Sequence, residues 1–168
     1  MNAEELNASK EFSIFLRSAR NYCEFIESKN SYTETEFLSL TRECLQLLYI
    51  NAQSLHLVEV TFNSDFDSLL SDVDLRRIMV QLSNRIESRF YWHIFNPSQS
   101  IDLVPVCGDL VDDLGDIYRD LKNAILLYDK GSPEEIESAL WDFKFNFDHH
   151  WGDHCMNALY AIHYIYKH

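Results

Sequence analysis

Aspartates recur at steps of four, three and four residues in the second half of the chain, which is the spacing of one line along an α-helix. They are Asp109, Asp113, Asp116 and Asp120. An apolar seam lies one residue further round the same predicted helix, so the aspartates fall at the edge of its buried face. Like charges three or four residues apart repel one another. We therefore expect a basic, imidazole, tyrosine or tryptophan donor, or a bound cation, to compensate them.

Two histidines stand one turn apart in the last predicted helix, within a run of inward-facing apolar positions. The spacing of His150 and His154 lets their imidazoles face the same point. Carboxylate oxygens and imidazole nitrogens from two facing helices suit Mn, Fe or Zn better than Ca or Mg. One hypothesis is therefore a divalent metal site formed by His150, His154, Asp113 and Asp116. In a metal-dependent hydrolase, one of these aspartates would activate water as a general base.

Two other interpretations of the same residues stay open. Buried polar groups are normally hydrogen-bonded, so the aspartates and histidines can instead form a structural polar network. Trp141 and Trp151 join this candidate centre, because buried indole N–H groups need acceptors and the aspartate line can supply them. In the third interpretation the aspartates form a solvated acidic face. Arg119 and Lys122 are expected on the opposite flank of that helix.

No complete catalytic motif accompanies these residues. The sequence lacks HExxH, GxSxG, a Walker A loop and GxGxxG, and the ExxH pairs typical of di-iron bundles are missing as well. The segment from His149 to His154 has the composition of the histidine-aspartate strings of binuclear metallohydrolases. Those strings follow β-strands, whereas this segment is predicted to be helical, so that comparison is rejected.

Long helices must position these side chains, since the chain has only 4 glycines and 3 prolines and hardly any period-two alternation. We predict helices over about 9–27, 33–55 and 73–90, a fourth from Pro105 to Gly131, and a fifth from Ser132 onward. Capping boxes at 33–36 and 132–135 mark two of the starts. An irregular connection is expected over 56–70 and a turn over 96–98.

Length and composition predict one globular domain spanning residues 1–168, with 46% apolar residues to form its core. A formal net charge of -13 argues against nucleic acid as a partner and would attract a basic protein, as inhibitor or immunity proteins do. No apolar run is long enough to span a membrane, and no secretory signal precedes the first helix. The 4 cysteines form no CxxC pair, so reduced thiols in the cytoplasm are expected.

Three stretches of the sequence together resemble one bacterial family. They are Tyr91-Trp92 with Phe95-Asn96-Pro97, the run from Asp112 to Lys122, and Trp141-x-x-x-Phe145-x-Phe147-x-x-His150-Trp151-Gly152-x-His154. The chain is similar over nearly its whole length to the family catalogued as domain of unknown function 5063. It departs from the family pattern at Asn96, where Asp is expected, and at Gly115, where Ala is expected. The resemblance implies a small helical bacterial protein and carries no activity or cofactor with it.

These observations predict an all-α fold, a bundle of about five helices with a long C-terminal helix. The leading hypothesis for function is a cytoplasmic, non-catalytic binding or protein-interaction module containing an Asp/His/Trp polar network. The alternative is a metal-binding protein or a metal-dependent hydrolase, with its site between the fourth and fifth helices.

Overall fold

The computed structural model describes residues 2–61, 66–94, 98 and 104–166 of the chain. The described elements run in the order α1 (Ala3–Asn7), α2 (Lys10–Glu27), α3 (Glu34–Gln53), α4 (Asp72–Ser83), β1 (Phe90–His93), β2 (Val106–Asp109), α5 (Leu110–Tyr128), α6 (Pro133–Asn146), a π-helical turn (Phe147–Trp151) and α7 (Gly152–Ile165). The predicted helical class is therefore correct in its main feature.

Helix α5 lies at the centre of the molecule. It packs against α2, α4, α6 and α7, while α2 also packs against α3 and α3 against α7. Its apolar seam of Leu114, Ile117 and Leu121 is fully buried. Because this helix is surrounded, polar side chains on the edges of its seam must find partners on neighbouring elements.

Helix starts follow the sequence signals closely. The side chains of Thr33 and Ser132 each accept a hydrogen bond from the backbone N–H three residues later. In turn, the carboxylates of Glu36 and Glu135 each accept a hydrogen bond from the backbone N–H of the cap residue. Both predicted capping boxes are thus confirmed. A third capping box, between Asn2 and Glu5, begins the short helix α1, which lies outside the predicted helices.

A two-stranded antiparallel sheet corrects the purely helical prediction. Helix α4 ends at Ser83, whereas the sequence predicted a helix to about residue 90, and Tyr91 in β1 pairs with Gly108 in β2. Helix α5 consequently starts at Leu110 and not directly after Pro105. Period-two burial explains the strand, since Tyr91 is partly buried and Trp92 is exposed.

The C-terminal helix is continuous from α6 through the π-helical turn to α7. Its buried stripe passes through Phe143, Phe147, Trp151, Cys155 and Ala158. The prediction placed His150 and His154 within the stripe; instead they lie beside it, with side chains 39% and 24% exposed. The wide turn adds one residue to the helical period, and this shifts the stripe from His150 to Trp151.

Several smaller features complete the fold. Residues 56–61 and 66–69 carry no regular helix or strand, as predicted for that connection. The predicted turn at Asn96-Pro97-Ser98 falls largely outside the described residues, which include only Ser98. All four cysteines, each of which is described, are free thiols. Within the described part of the chain, no helix is long and apolar enough to cross a membrane.

Candidate functional site

The polar centre, defined here as Asp113, Asp116, Asp120, His150 and His154, lies between α5 and the C-terminal helix. Steps of three and four residues place the three aspartates on the edge of α5 that faces the histidines. Asp113 is 5% exposed, and the side chains of Asp116 and Asp120 are 18% and 12% exposed. Of the eight residues predicted for this centre, these five are brought together by contacts between α5 and the C-terminal helix.

Asp113 links three elements through its two carboxylate oxygens. The hydroxyl of Tyr91 in β1 donates to Oδ2 at 2.5 Å, and Nδ1 of His154 in α7 lies 2.8 Å from Oδ1. Because a carboxylate only accepts hydrogen bonds, Nδ1 of His154 carries the proton. Asp113 thus fixes the β-hairpin and α7 to α5.

A glycine in β2 makes the reach of Tyr91 possible. Gly108 is the cross-strand partner of Tyr91, and a β-carbon there would overlap the Tyr91 ring. Without that β-carbon, the ring lies across the strand and its hydroxyl reaches Asp113. The role of Gly108 therefore comes from close approach, since its backbone has no positive φ.

A second carboxylate–imidazole pair stands one turn further along. Nδ1 of His150 lies 2.7 Å from Oδ2 of Asp120, and the His150 and His154 ring centroids are 4.8 Å apart. Arg119 pairs with Asp116 at 2.7 Å and with Oδ1 of Asp120 at 3.5 Å. The expectation that Arg119 lies on the opposite flank is wrong, because its long side chain folds back along α5 to the aspartates.

The π-helical turn places both histidines on the side of α5. Gly152 is the first residue of α7, and a β-carbon there would overlap the carbonyl oxygen of Phe147. A π-helical turn brings that carbonyl oxygen close to the residue five positions later. Only a residue without a β-carbon fits at this position. Single π-helical turns inside α-helices occur frequently at functional sites.

Proximity and burial change the ionisation of several groups here. The hydrogen bond to Asp113 raises the pKa of His154 above its ordinary value, although desolvation opposes the shift. Burial, followed by the hydrogen bond to Asp113, raises the pKa of Tyr91. Burial and the neighbouring Asp116 raise the pKa of Asp112. The side chains at this edge of α5 therefore favour holding protons or positive charge.

The first aspartate of the predicted line has partners outside the polar centre. Asp109 ends β2 in an extended conformation and caps α5 through the backbone N–H of Val111 at 3.0 Å. Both of its oxygens also bind the guanidinium of Arg89, with Nε to Oδ1 at 2.9 Å. Because α5 begins one residue after Asp109, the Asp109 side chain serves as the cap of this helix.

The two tryptophans of the candidate centre lie in aromatic packing. Trp141 stacks on Phe145 with centroids 4.1 Å apart, and the buried Trp151 contacts Phe147 at 4.9 Å. Among the hydrogen bonds of the described residues, neither indole donates to the aspartate line. Tyr91 and Arg119 supply that compensation instead, and the step of three between Asp116 and Arg119 is a sequence signal for one of them.

Few groups of the polar centre are available as ligands for a metal ion. One ligand atom each from Asp116, His150 and His154 lie within 4.8 Å of one another. Asp113 has both oxygens engaged by Tyr91 and His154, so it can orient a ligand more readily than act as one. Of the four residues predicted as metal ligands, three therefore form the candidate set.

A groove lies on the other side of the β-hairpin. This hairpin groove, of about 590 Å³, is lined by Trp92, His93, Ile94, Pro105, Asp153, Met156, Asn157 and Tyr160. Trp92 is 67% exposed and Met156 51% exposed. The alternation within β1 places Trp92 on the exposed side of the strand.

The comparisons with known proteins agree with this fold. The family described as "Domain of unknown function (DUF5063)" matches residues 7–168, so the chain belongs to that family. It is also similar to the crystal structure of protein BF1032 from Bacteroides fragilis, a structural genomics target. The TM-score is 0.80 at 23% identity, over 95% of this chain and 97% of that one. At this identity the likeness shows the fold alone. No curated protein matches the chain.

Proposed function

We propose that this member of the DUF5063 family is a non-catalytic binding module that takes up an apolar and basic segment of a partner protein in the hairpin groove. The observation that carries the proposal is a second apolar stripe on α7, which stays exposed beside the groove. The Asp/His network acts as the structural joint between the two walls of the groove. The free cysteine thiols suit a cytoplasmic setting.

Helix α7 is apolar on two faces. One face is the buried stripe through Cys155 and Ala158, while Met156, Tyr160 and Tyr164 recur at steps of four with exposures of 51%, 48% and 46%. A helix at a protein surface usually presents polar residues on its outer face. Trp92 extends the exposed apolar surface across the groove, and contiguous patches of this kind mark interaction sites.

The polar centre gives this surface its rigidity. Successive side chains of a strand point to opposite sides, so Tyr91 reaches inward to Asp113 while Trp92 faces the groove. Asp113 also holds His154, which lies next to Asp153 on α7. The hydrogen-bonded chain of Tyr91, Asp113 and His154 therefore sets the spacing between Trp92 and α7. A groove with preset walls loses less entropy when it binds a ligand.

The chemistry of the lining defines the occupant. Aromatic and aliphatic side chains dominate, Asp153 supplies a carboxylate, and neither Lys nor Arg is present among the lining residues that the structure describes. The face of Trp92 suits an ammonium or guanidinium group. The net charge of -13 would speed the association of a basic partner. An apolar side chain flanked by Lys or Arg fits all three features.

The test measures fluorescence anisotropy of short labelled peptides mixed with the full chain. One peptide alternates Leu and Lys, a second replaces Lys by Glu, and a third replaces Leu by Ser. We expect binding of the Leu/Lys peptide alone, weakening as salt rises. Trp92→Ala and the double variant Met156→Ser/Tyr160→Ser should weaken it at least about tenfold, as loss of about 1.4 kcal/mol does.

A matched control separates the groove from general stickiness of an acidic protein. Val80 in α4 is 61% exposed and lies away from the groove lining, so Val80→Ser should leave peptide binding unchanged. Equal binding by the Trp92→Ala variant and the parent chain would overturn the proposal. It would also fail if sedimentation showed a dimer that Trp92→Ala dissociates, because a second copy would then occupy the groove.

A further inference from the structure

We infer that Asp116, His150 and His154 form a binding site for a divalent transition metal ion, with Zn²⁺ as the best match. The inference goes beyond the hairpin groove and uses different residues. It rests on the direction in which the histidines are held, on the spacing of the ligand atoms and on the surplus of negative charge beside them.

The orientation of the two imidazoles is the first observation. Asp113 holds Nδ1 of His154 at 2.8 Å and Asp120 holds Nδ1 of His150 at 2.7 Å. In the neutral imidazole, each pair fixes the tautomer with the proton on Nδ1 and leaves the lone pair on Nε2, where a metal ion displaces any second proton. Histidines that bind metals are usually held in this way by a carboxylate or a carbonyl group. Both imidazoles are thus prepared to ligate through Nε2.

The distance between Asp116 and His154 is the second observation. Oδ2 of Asp116 lies 3.4 Å from Nε2 of His154, which is longer than an ordinary N–H···O hydrogen bond of about 2.7 to 3.2 Å. Two ligands on a tetrahedral Zn²⁺ with bonds of about 2.0 to 2.1 Å stand about 3.3 to 3.4 Å apart. This pair is therefore spaced like two ligands of one ion.

His150 completes the set with a small movement. One ligand atom each of Asp116, His150 and His154 lie within 4.8 Å of one another, so a side-chain rotation that closes at most about 1.4 Å brings the set to tetrahedral spacing. The side chain of His150 is 39% exposed and sits in the π-helical turn, which leaves room for that rotation. Two imidazole nitrogens and one carboxylate oxygen then leave the fourth position of Zn²⁺ open to water or another ligand.

Charge at the site favours a cation. Asp112, Asp113, Asp116 and Asp120 are close together on α5, and Arg119 is the cation paired with this group on the same helix. Arg119 occupies one oxygen of Asp116 and one of Asp120. Arg119 holds Oδ1 of Asp116, while Oδ2 of Asp116 faces His154. Oδ2 is therefore the carboxylate oxygen that remains for the ion.

The experiment titrates the untagged full chain with Zn²⁺ against a chromophoric chelator, with Mg²⁺ as the contrasting ion. We expect one Zn²⁺ per chain and no displacement of that ion by Mg²⁺. Asp120→Ala should weaken binding about 10- to 100-fold, because it removes the carboxylate that orients the imidazole of His150. His150→Ala and His154→Ala should weaken it further, because each removes a ligand. His163→Ala, at an exposed position of α7, is the matched control and should bind like the parent chain.

Co²⁺ substitution gives a second readout that folding alone does not produce. Intense visible bands of tetrahedral Co²⁺, absent in the His150→Ala variant, would support the site. If the alanine variants do not fold, Asp116→Asn serves instead, since it keeps the shape of the side chain. Failure of the parent chain to bind one Zn²⁺, or undiminished binding by folded Asp116→Asn, would overturn the inference. Either result leaves the peptide test of the groove unaffected.

Discussion

Removing the Tyr91 hydroxyl should destabilise the fold through Asp113, and a double-mutant cycle can measure this coupling. The hydroxyl donates to Asp113 at 2.5 Å, and Asp113 is 5% exposed. A hydrogen bond to a charged group contributes about 1.5 to 3 kcal/mol. Tyr91→Phe also leaves the buried carboxylate with His154 as its remaining partner. We therefore expect a loss of about 1.5 to 3 kcal/mol in the free energy of unfolding.

The assay is urea denaturation followed by far-UV circular dichroism, at neutral pH, for Tyr91→Phe, Asp113→Asn and the double variant. In a thermal unfolding experiment on the same variants, at about 2 to 4 °C per kcal/mol for a chain of this length, Tyr91→Phe should lower Tm by about 3 to 12 °C. The double variant should lose at least about 0.5 kcal/mol less than the two single losses together, since both remove the same bond.

Tyr160→Phe is the matched control for the cycle, because Tyr160 is 48% exposed. It should change stability by no more than about 0.5 kcal/mol. Additivity of the Tyr91 and Asp113 effects to within about 0.3 kcal/mol would refute the reasoning, since independent sites behave in that way. The hairpin would then be held to α5 by contacts other than this hydrogen bond.

Three further changes test neighbouring parts of the structure. Gly152→Ala should destabilise the chain by about 1 to 3 kcal/mol in thermal unfolding, because its methyl group overlaps the Phe147 carbonyl; unchanged stability would contradict the π-helical turn. Gly108→Ala should displace the Tyr91 ring, so its effect should largely vanish in a Tyr91→Ala background. Burial raises the pKa of Asp142 to about 6. Asp142→Asn should therefore raise the free energy of unfolding by about 1 to 3 kcal/mol above pH 6. If the variant is still more stable near pH 3, below the pKa of the unfolded chain, burial of the charged carboxylate is not the cause.

The sign of the Asp142 prediction follows from which state holds the proton. The folded chain binds the proton more tightly than the unfolded chain, whose carboxyl has the ordinary pKa of about 3.9. The penalty for ionising Asp142 therefore grows as pH rises from about 4 to 6 and is complete above that range. An asparagine carries no such penalty, so the advantage of the variant should follow the same pH range.

Strongly local features of the fold were predictable from the sequence. The capping boxes at Thr33 and Ser132 are formed by side chains only three residues from the groups they bind, so the local sequence contains the whole interaction. The grouping of Asp113, Asp116 and Asp120 follows from the helical period in the same way. Their meeting with His150 and His154 was predicted less directly, because it needs both helices to turn their edges toward one another.

The β-hairpin depended on the tertiary structure. Residues 90–93 have no stable partner in their own neighbourhood, and strand formation requires pairing with Val106–Asp109 across the intervening segment. Because the prediction relied on helical spacing, it extended the third predicted helix beyond Ser83 and began the fourth as early as Pro105. Asp109 was assigned to the helix for the same reason, although the cap it provides lies just outside the helical repeat.

What the sequence by itself determined is the helical class, the capped helix starts at Thr33 and Ser132, and the helical spacing of Asp113, Asp116 and Asp120, because each depends on interactions within a few turns. The tertiary structure decided which groups compensate the aspartates. Tyr91 reaches Asp113 from a strand, and a π-helical turn moves Trp151 into the core and the two histidines to its edge. A period of 3.6 residues cannot anticipate one inserted residue, since the packing of Phe147 and Trp151 against the rest of the core selects it.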